Sequence, residues 1–380
     1  MKKYSYFLLF LLLFSMSAFA NKEPIDSTIS KGIKYIYNIK FHEAETTFKQ
    51  LIADYPEHPA GRFFLAMIDW WKILLDIDNE SYDDLFYQKI EDVIFQCDKL
   101  LKKNPKNDEA LFCKGGAIGF RGRLRGYRNS WIKAADDGRE ALPIVQEAYN
   151  LNPNNIDVQL GFGIYNYYAS VIPDQYPMVK PLMIFFPKGD KQKGIEQLNK
   201  AAYFGKYTKY ESRYFLMTLY YEYENDVNTS LKYSELLVQD FPDNPTFQRW
   251  YGRINARMGD SKKASIIFKD LIEKANKHYN GYNLTRPLRE AEYYVAEQYR
   301  NERNIDSAII HFKKSAEFSR KVDKKGESGF LTNTLLYLGM LTDQKGNHDE
   351  AVKYYKEVLD MKDYGNSHQR ADQYIKTPYK

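Results

Sequence analysis

A small residue is followed four positions later by a bulky apolar one, and three further on by a second apolar residue. This unit recurs along the 380-residue chain. It reads Ala44, Phe48, Leu51; then Ala141, Val145, Ala148; then Ala264, Phe268, Leu271; then Ala351, Tyr355, Val358. Spacings of four and three place all members of a unit on one helix face. Prolines five residues on, Pro56, Pro153 and Pro242, close three units, and the residue before a proline avoids helical geometry. Upstream of several units lies a second helix-period stretch with a glycine near its middle: Gly32, Gly252, Gly339. Two such short helices cannot bury their apolar faces alone, so the pairs must stack.

The pattern resembles the tetratricopeptide repeat (TPR), a helix pair of about 34 residues. The expected fold is all-α: an α-solenoid of about eight TPR-like helical hairpins, with insertions in the third and fourth repeats. The first repeat occupies 21–58. Irregular repeats fill 59–205, with insertions at 116–137 and 172–190. Regular repeats fill 206–363, and 364–380 forms a polar cap or tail. Small residues at helix crossings let backbones approach, where a larger one would overpack. Most of the 33 Tyr and 23 Phe are therefore expected in the core.

The N-terminus has the composition of an export signal. Lys2 and Lys3 precede an apolar run from Phe7 to Phe14, and Ser17-Ala18-Phe19-Ala20 supplies a small-residue cleavage site. The run is shorter than the roughly 20 residues that span a bilayer. We expect cleavage near Ala20 and a mature chain beginning near Asn21, with an uncleaved anchor as the rival. No cysteine follows the run to carry a lipid. Richness in Lys, Asn, Tyr and Ile fits an AT-rich bacterial genome, so the expected compartment is the periplasm. The formal net charge of +5, two units of it from Lys2 and Lys3, is too weak to argue for nucleic acid. Cys97 and Cys113 fall on adjacent helices and are candidates for a disulfide in an oxidising compartment; two buried thiols are the alternative.

Catalytic constellations are missing from the sequence. His42-Glu43 begins like a zinc-protease motif, but Thr46 stands where the second His belongs. The other histidines lack metal-ligand spacing. Gly115, Gly116, Gly119, Gly122 and Gly126 do not fit the dinucleotide fingerprint, and no strand precedes them. No enzyme activity, cofactor or metal is expected.

Three features invite binding. Arg249, Arg253 and Arg257 recur every four residues on an inner helix. They either face an acidic peptide in the concave groove or pair with Glu222, Glu290 and Glu297. The insertion carrying Arg121, Arg123, Arg125 and Arg128 is either a basic loop for an anionic partner or is tied to acidic helices through Asp136 and Asp137. The insertion 172–190, punctuated by Pro173, Pro177, Pro181 and Pro187 around Met183 to Phe186, is a lid, a membrane-interface contact or a structural plug. By repeat position the groove residues are Tyr167, Phe215, Tyr223, Arg249, Arg253, Arg257, Tyr293 and Glu297.

The order Gly161-Phe-Gly163-Ile-Tyr-Asn166, then Ile172-Pro173, Phe186-Pro-Lys-Gly189-Asp190 and Phe241-Pro242-Asp243-Asn244 resembles the inclusion body clearance family of TPR proteins over residues 155–275. The resemblance implies an adaptor rather than an enzyme, with links to aggregate clearance and lipid droplets. The export signal departs from that family, and no functional residue carries across. A looser likeness is to periplasmic TPR partners of solute transporters. The reading is an exported scaffold that holds a protein or peptide, an acidic one if the arginines are free, in its groove. The alternatives are a solute- or lipid-binding accessory of an envelope transporter and, more remotely, a hydrolase on a helical scaffold. An enclosed apolar cavity would favour the accessory, an open groove the scaffold.

Overall fold

The computed structural model describes residues 23–175, 187–323 and 328–380, together with Lys180. The expected leader at 1–20 lies outside the described residues, as does most of the insertion 172–190, including Pro177, Pro181 and Met183 to Phe186.

The described residues form seventeen α-helices and no strand. They are α1 Ile25–Tyr37, α2 Phe41–Asp54, α3 Ala60–Leu75, α4 Asp83–Lys103, α5 Asp108–Tyr127, α6 Trp131–Leu151, α7 Val158–Gln175 and α8 Lys191–Phe204. Then follow α9 Lys209–Glu222, α10 Val227–Asp240, α11 Pro245–Arg257, α12 Ser261–Asn276, α13 Thr285–Asn301, α14 Ile305–Val322, α15 Gly329–Gln344, α16 His348–Leu359 and α17 Ser367–Lys376. Each odd helix packs on the next even one, giving eight hairpins in a stack with α17 against the last. The odd helices form the inner layer.

Each hairpin is closed by one small residue under one large one. A side-chain carbon added at Gly32, Gly252 or Gly339 would strike the ring of Phe48, Phe268 or Tyr355. In all three the aromatic stands sixteen positions after the glycine, which is why the motif repeats so regularly. The connecting turns share one device: a residue at positive φ followed by the cap of the next helix. Gly259 and Gly346 adopt φ +85° and +80°, while Ile39, Asn225 and Arg303 do the same near +55°. Asp226, Asp260, Asn304 and Asn347 then accept from backbone N–H groups of the first turn that follows.

The third hairpin corrects one expectation. Residues 116–137 are not an inserted loop. Helices α5 and α6 run unbroken for 20 and 21 residues, so the extra residues lengthen both helices by roughly two turns. Gly115 meets Val145 thirty positions on instead of sixteen, so the hairpin lock survives the elongation.

A second departure concerns the long-range packing. In a simple solenoid each repeat touches only its neighbours. Here the first hairpins reach the fifth, sixth and seventh. The Tyr37 hydroxyl donates to Glu211 Oε2 at 3.3 Å, and Asn244 Nδ2 donates to the Tyr37 carbonyl at 2.8 Å. The Tyr37 ring stacks on Phe241, Trp71 meets Phe247 edge-on, and Arg286 pairs with Asp78. One continuous apolar core therefore runs from Ile29 to Ile254. The tail expected at 364–380 contains a helix, α17, docked through buried Ser367 and Ala371.

Candidate functional site

The inner layer of the first five hairpins, together with α6, lines a partly open cavity of about 880 Å³. Helix α5 contributes one face along its whole length, from Asp108 through Phe112, Gly116 and Gly119 to Arg123 and Tyr127. Positions three and four apart supply this stripe, as a helix face requires. At 1.5 Å per residue α5 is about 30 Å long, so the cavity is elongated along it. The opposite walls come from α1, α3, α7 and α9, with Ile33, Trp70, Trp71, Ile164 and Phe215 among them.

The glycines of α5 do two jobs. Gly115 and Gly122 face α6, where an added carbon would meet Val145 Cγ2 at 2.5 Å and Asp137 Cβ at 3.0 Å. Gly116 and Gly119 line the cavity with them, but an added carbon at Gly119 would meet nothing within 4 Å. Gly138 on α6 also lines the cavity and is equally open. Missing side chains thus create part of the space.

Arg123 is the charged centre of the cavity wall. Its guanidinium lies 4.6 Å from the Trp70 and Phe215 rings and 5.1 Å from the Phe120 ring. Nη1 donates to Glu211 Oε1 at 2.7 Å. Burial opposes its charge, yet the adjoining Glu211 carboxylate wins and holds its pKa above the ordinary guanidinium value. The other arginines of this stretch are tied to carboxylates: Arg121 and Arg125 to Asp137, Arg128 to Asp83.

The eight groove candidates separate in space. Phe215 and Tyr223 line the cavity. Tyr167 does not present a groove surface. It is fully buried, and its hydroxyl donates to Glu224 Oε1 at 2.6 Å. The close crossing of Gly163 and Gly194 draws α8 over it, since a carbon added at Gly194 would stand 2.6 Å from the Tyr167 nitrogen. Tyr293 is likewise interior, wedged edge-on between Phe312 and Phe330, with its hydroxyl donating to the half-buried Glu297 at 3.3 Å. Burial raises the pKa of Glu297.

The arginine row is divided. Arg253 Nη2 donates to Glu290 Oε1 at 2.6 Å, and Arg249 Nε lies 3.8 Å from Oε2. Glu290 is 1% exposed. Burial would raise its pKa, but Arg253, Arg249 and Arg289 together hold it below the ordinary carboxylate value. These two arginines are therefore paired inward. Arg257 is exposed and donates to the Tyr221 carbonyl and Asn225 Oδ1. Arg300 is stacked 4.1 Å from the Tyr337 ring, and its charge acts on the neighbouring Glu297 carboxylate.

Cys97 and Cys113 are separate thiols rather than a bridge, and both are buried. Burial pushes the Cys97 thiol up to about 12 and Cys113 well above its ordinary value. They fill space between α4 and α5 as small apolar residues do.

Sequence reasoning missed Arg123, Trp70, Phe120 and Glu211 as neighbours. Its one available signal was the glycine spacing in α5, read only against a nucleotide motif.

Residues 334–363 match the tetratricopeptide repeat family. No curated protein matches this chain by sequence. Among solved structures, the APC/C hetero-tetramer Cut9–Hcn1 superposes with a TM-score of 0.54 at 12% identity, over 95% of this chain and 57% of that one. The C-terminal part of a TPR repeat-containing protein from Cytophaga hutchinsonii aligns at 18% identity, over 77% of this chain and 95% of that one, with a TM-score of 0.36. The human IFIT1 dimer with PPP-AAAA aligns at 14% identity, over 85% and 69%, with a TM-score of 0.41. The Cut9–Hcn1 likeness supports the TPR superhelix as the fold of this chain.

Proposed function

We propose that this chain is a non-catalytic scaffold of the bacterial envelope, exported by its N-terminal signal, which holds a protein partner on the inner surface of its C-terminal hairpins. The observation that carries this reading is the surface of α11, α13 and α15. Exposed Arg257 stands on α11, and on α13 Arg300 lies close enough to half-buried Glu297 for the two charges to interact. A partner with a carboxylate near an apolar anchor would complement it. The likeness of residues 155–275 to the inclusion body clearance family supports an adaptor role. Arg300→Gln, which removes the charge without setting a second carboxylate near Glu297, should reduce partner recovery after crosslinking in intact cells. Equal recovery from variant and parent would sink the scaffold reading. Fractionation together with N-terminal sequencing of the mature chain tests export; a retained leader would refute cleavage near Ala20.

A second reading, a solute- or lipid-binding accessory of an envelope transporter, is favoured by the aromatic cavity of the first five hairpins. Its volume of about 880 Å³ falls within the range of small-ligand sites. The two readings use different parts of the stack and are compatible.

A further inference from the structure

We propose that the cavity of the first five hairpins binds one neutral acyl chain, its body along the glycine face of α5 and its carbonyl at Arg123. This rests on the solute-binding reading and gives it a ligand class.

Three observations lead there. First, the charged groups lining the cavity already have partners. Arg123 pairs with Glu211, Asp26 with Lys206, and Glu109 with His58 at 3.0 Å. Asp157 accepts from the Thr208 hydroxyl at 2.7 Å and Asp108 from Asn152 at 2.8 Å. An anionic head on Arg123 would sit beside the Glu211 carboxylate, and a like charge there is unfavourable. A neutral ligand meets no such opposition.

Second, unused donors remain within an apolar wall. Arg123 donates only through Nη1, leaving Nε and Nη2 without an acceptor among the described residues. The guanidinium lies at the cavity wall over the buried Trp70 indole. A buried donor without an acceptor costs stability that a ligand carbonyl would recover.

Third, the rest of the wall suits a chain without polar groups. Between Arg123 and Phe112 the axial rise is about 16 Å, and Phe63, Met67, Ile33, Phe112 and Ile164 face this stretch. A peptide laid there would bring an N–H and a C=O at every residue, each needing a partner that this wall does not hold. An aliphatic chain needs none. Gly116 and Gly119 keep the floor flat, and Gly119 leaves open space where a side chain would stand.

The test uses the full chain, freed of lipid on a hydrophobic resin, with three probes. These are monopalmitoylglycerol as the neutral acyl ligand, palmitate as its ionised counterpart at about pH 8, and N-phenylnaphthylamine as an apolar probe lacking a carbonyl. The parent should bind monopalmitoylglycerol at one per chain, and palmitate about tenfold more weakly. Gly119→Leu and Gly138→Leu, both at open positions, should keep or slightly raise the parental melting temperature and lose about tenfold in affinity for both neutral probes. Arg123→Met combined with Glu211→Gln removes the guanidinium donors together with the carboxylate they would otherwise leave unpaired, and should weaken monopalmitoylglycerol about fivefold while leaving the naphthylamine unchanged. If the parent binds none of the probes, the solute reading itself falls. If it binds the naphthylamine but not the ester, or prefers palmitate, only the acyl assignment falls. If both leucine variants bind as the parent does, the site is not this cavity.

Discussion

Replacing Gly163 and Gly119 by alanine, one at a time, should move stability in opposite directions. Both residues are helical, in α7 and α5, so alanine offers each the same gain of about 0.5–1 kcal/mol in helix propensity. Their surroundings differ. An added carbon at Gly163 would stand 2.6 Å from Leu198 Cγ, 2.9 Å from the Gly194 carbonyl oxygen and 3.0 Å from the Leu198 nitrogen. Two of those atoms are backbone, so no rotamer change relieves the contact and α8 must retreat. Overpacking of this kind costs about 1–3 kcal/mol, and the backbone contacts place it toward the upper end. Gly163→Ala should therefore lose about 1–2 kcal/mol net, with Gly119→Ala about 2–3 kcal/mol above it. Urea unfolding followed by far-UV circular dichroism measures the midpoints, and amide exchange in α7 and α8 localises the loss. A Gly163→Ala midpoint equal to the parent's, or a Gly119→Ala midpoint below it, would refute the assignment of these glycines to a crossing and to a cavity.

Glu290→Gln should destabilise the chain by about 3 kcal/mol near neutral pH, because it leaves a cluster of buried guanidiniums without their shared carboxylate. The depressed pKa of Glu290 means its contribution is present above the ordinary carboxylate range and lost as pH falls through the folded value; the variant should flatten that acid limb in denaturant titrations. His348 is held above its ordinary pKa first by Asp343 Oδ1 at 2.7 Å, and its other ring nitrogen reaches the Ile375 carbonyl at 3.3 Å. That contribution is complete below about pH 6.5 and lost as pH rises through the folded value. Amide exchange in α17 should therefore be better protected, relative to intrinsic rates, on the acid side, and His348→Gln should erase the difference. Cys97 and Cys113 should resist alkylation until the chain unfolds, and reductant should leave the melting temperature unchanged; rapid labelling of the native chain would contradict their burial.

The repeat architecture was legible because its signal is local. Gly32–Phe48 and Gly339–Tyr355 are contacts within one hairpin, so a fixed spacing along the chain reports them. The cavity was not legible, because Arg123 and Glu211 meet across 88 positions and nothing in either neighbourhood announces the other. The groove candidates show the same limit. Repeat position placed Tyr167 and Tyr293 on the inner helices, but the depth of each depends on how closely the next hairpin approaches. For Tyr167 the Gly163–Gly194 crossing decides that. Arg253 met one of the two fates foreseen for it, pairing with Glu290, because a groove charge next to a buried carboxylate gains more from the pair than from water.

The bond from Asn244 to the Tyr37 carbonyl joins residues 207 positions apart. A chain growing on the ribosome can complete its first hairpins early, but their inner flank stays uncovered until the sixth has been made. The molecule is thus fastened like a clasp rather than built like a ladder. Trimming its opening hairpin should loosen α11, far downstream, as well as the helices next in line.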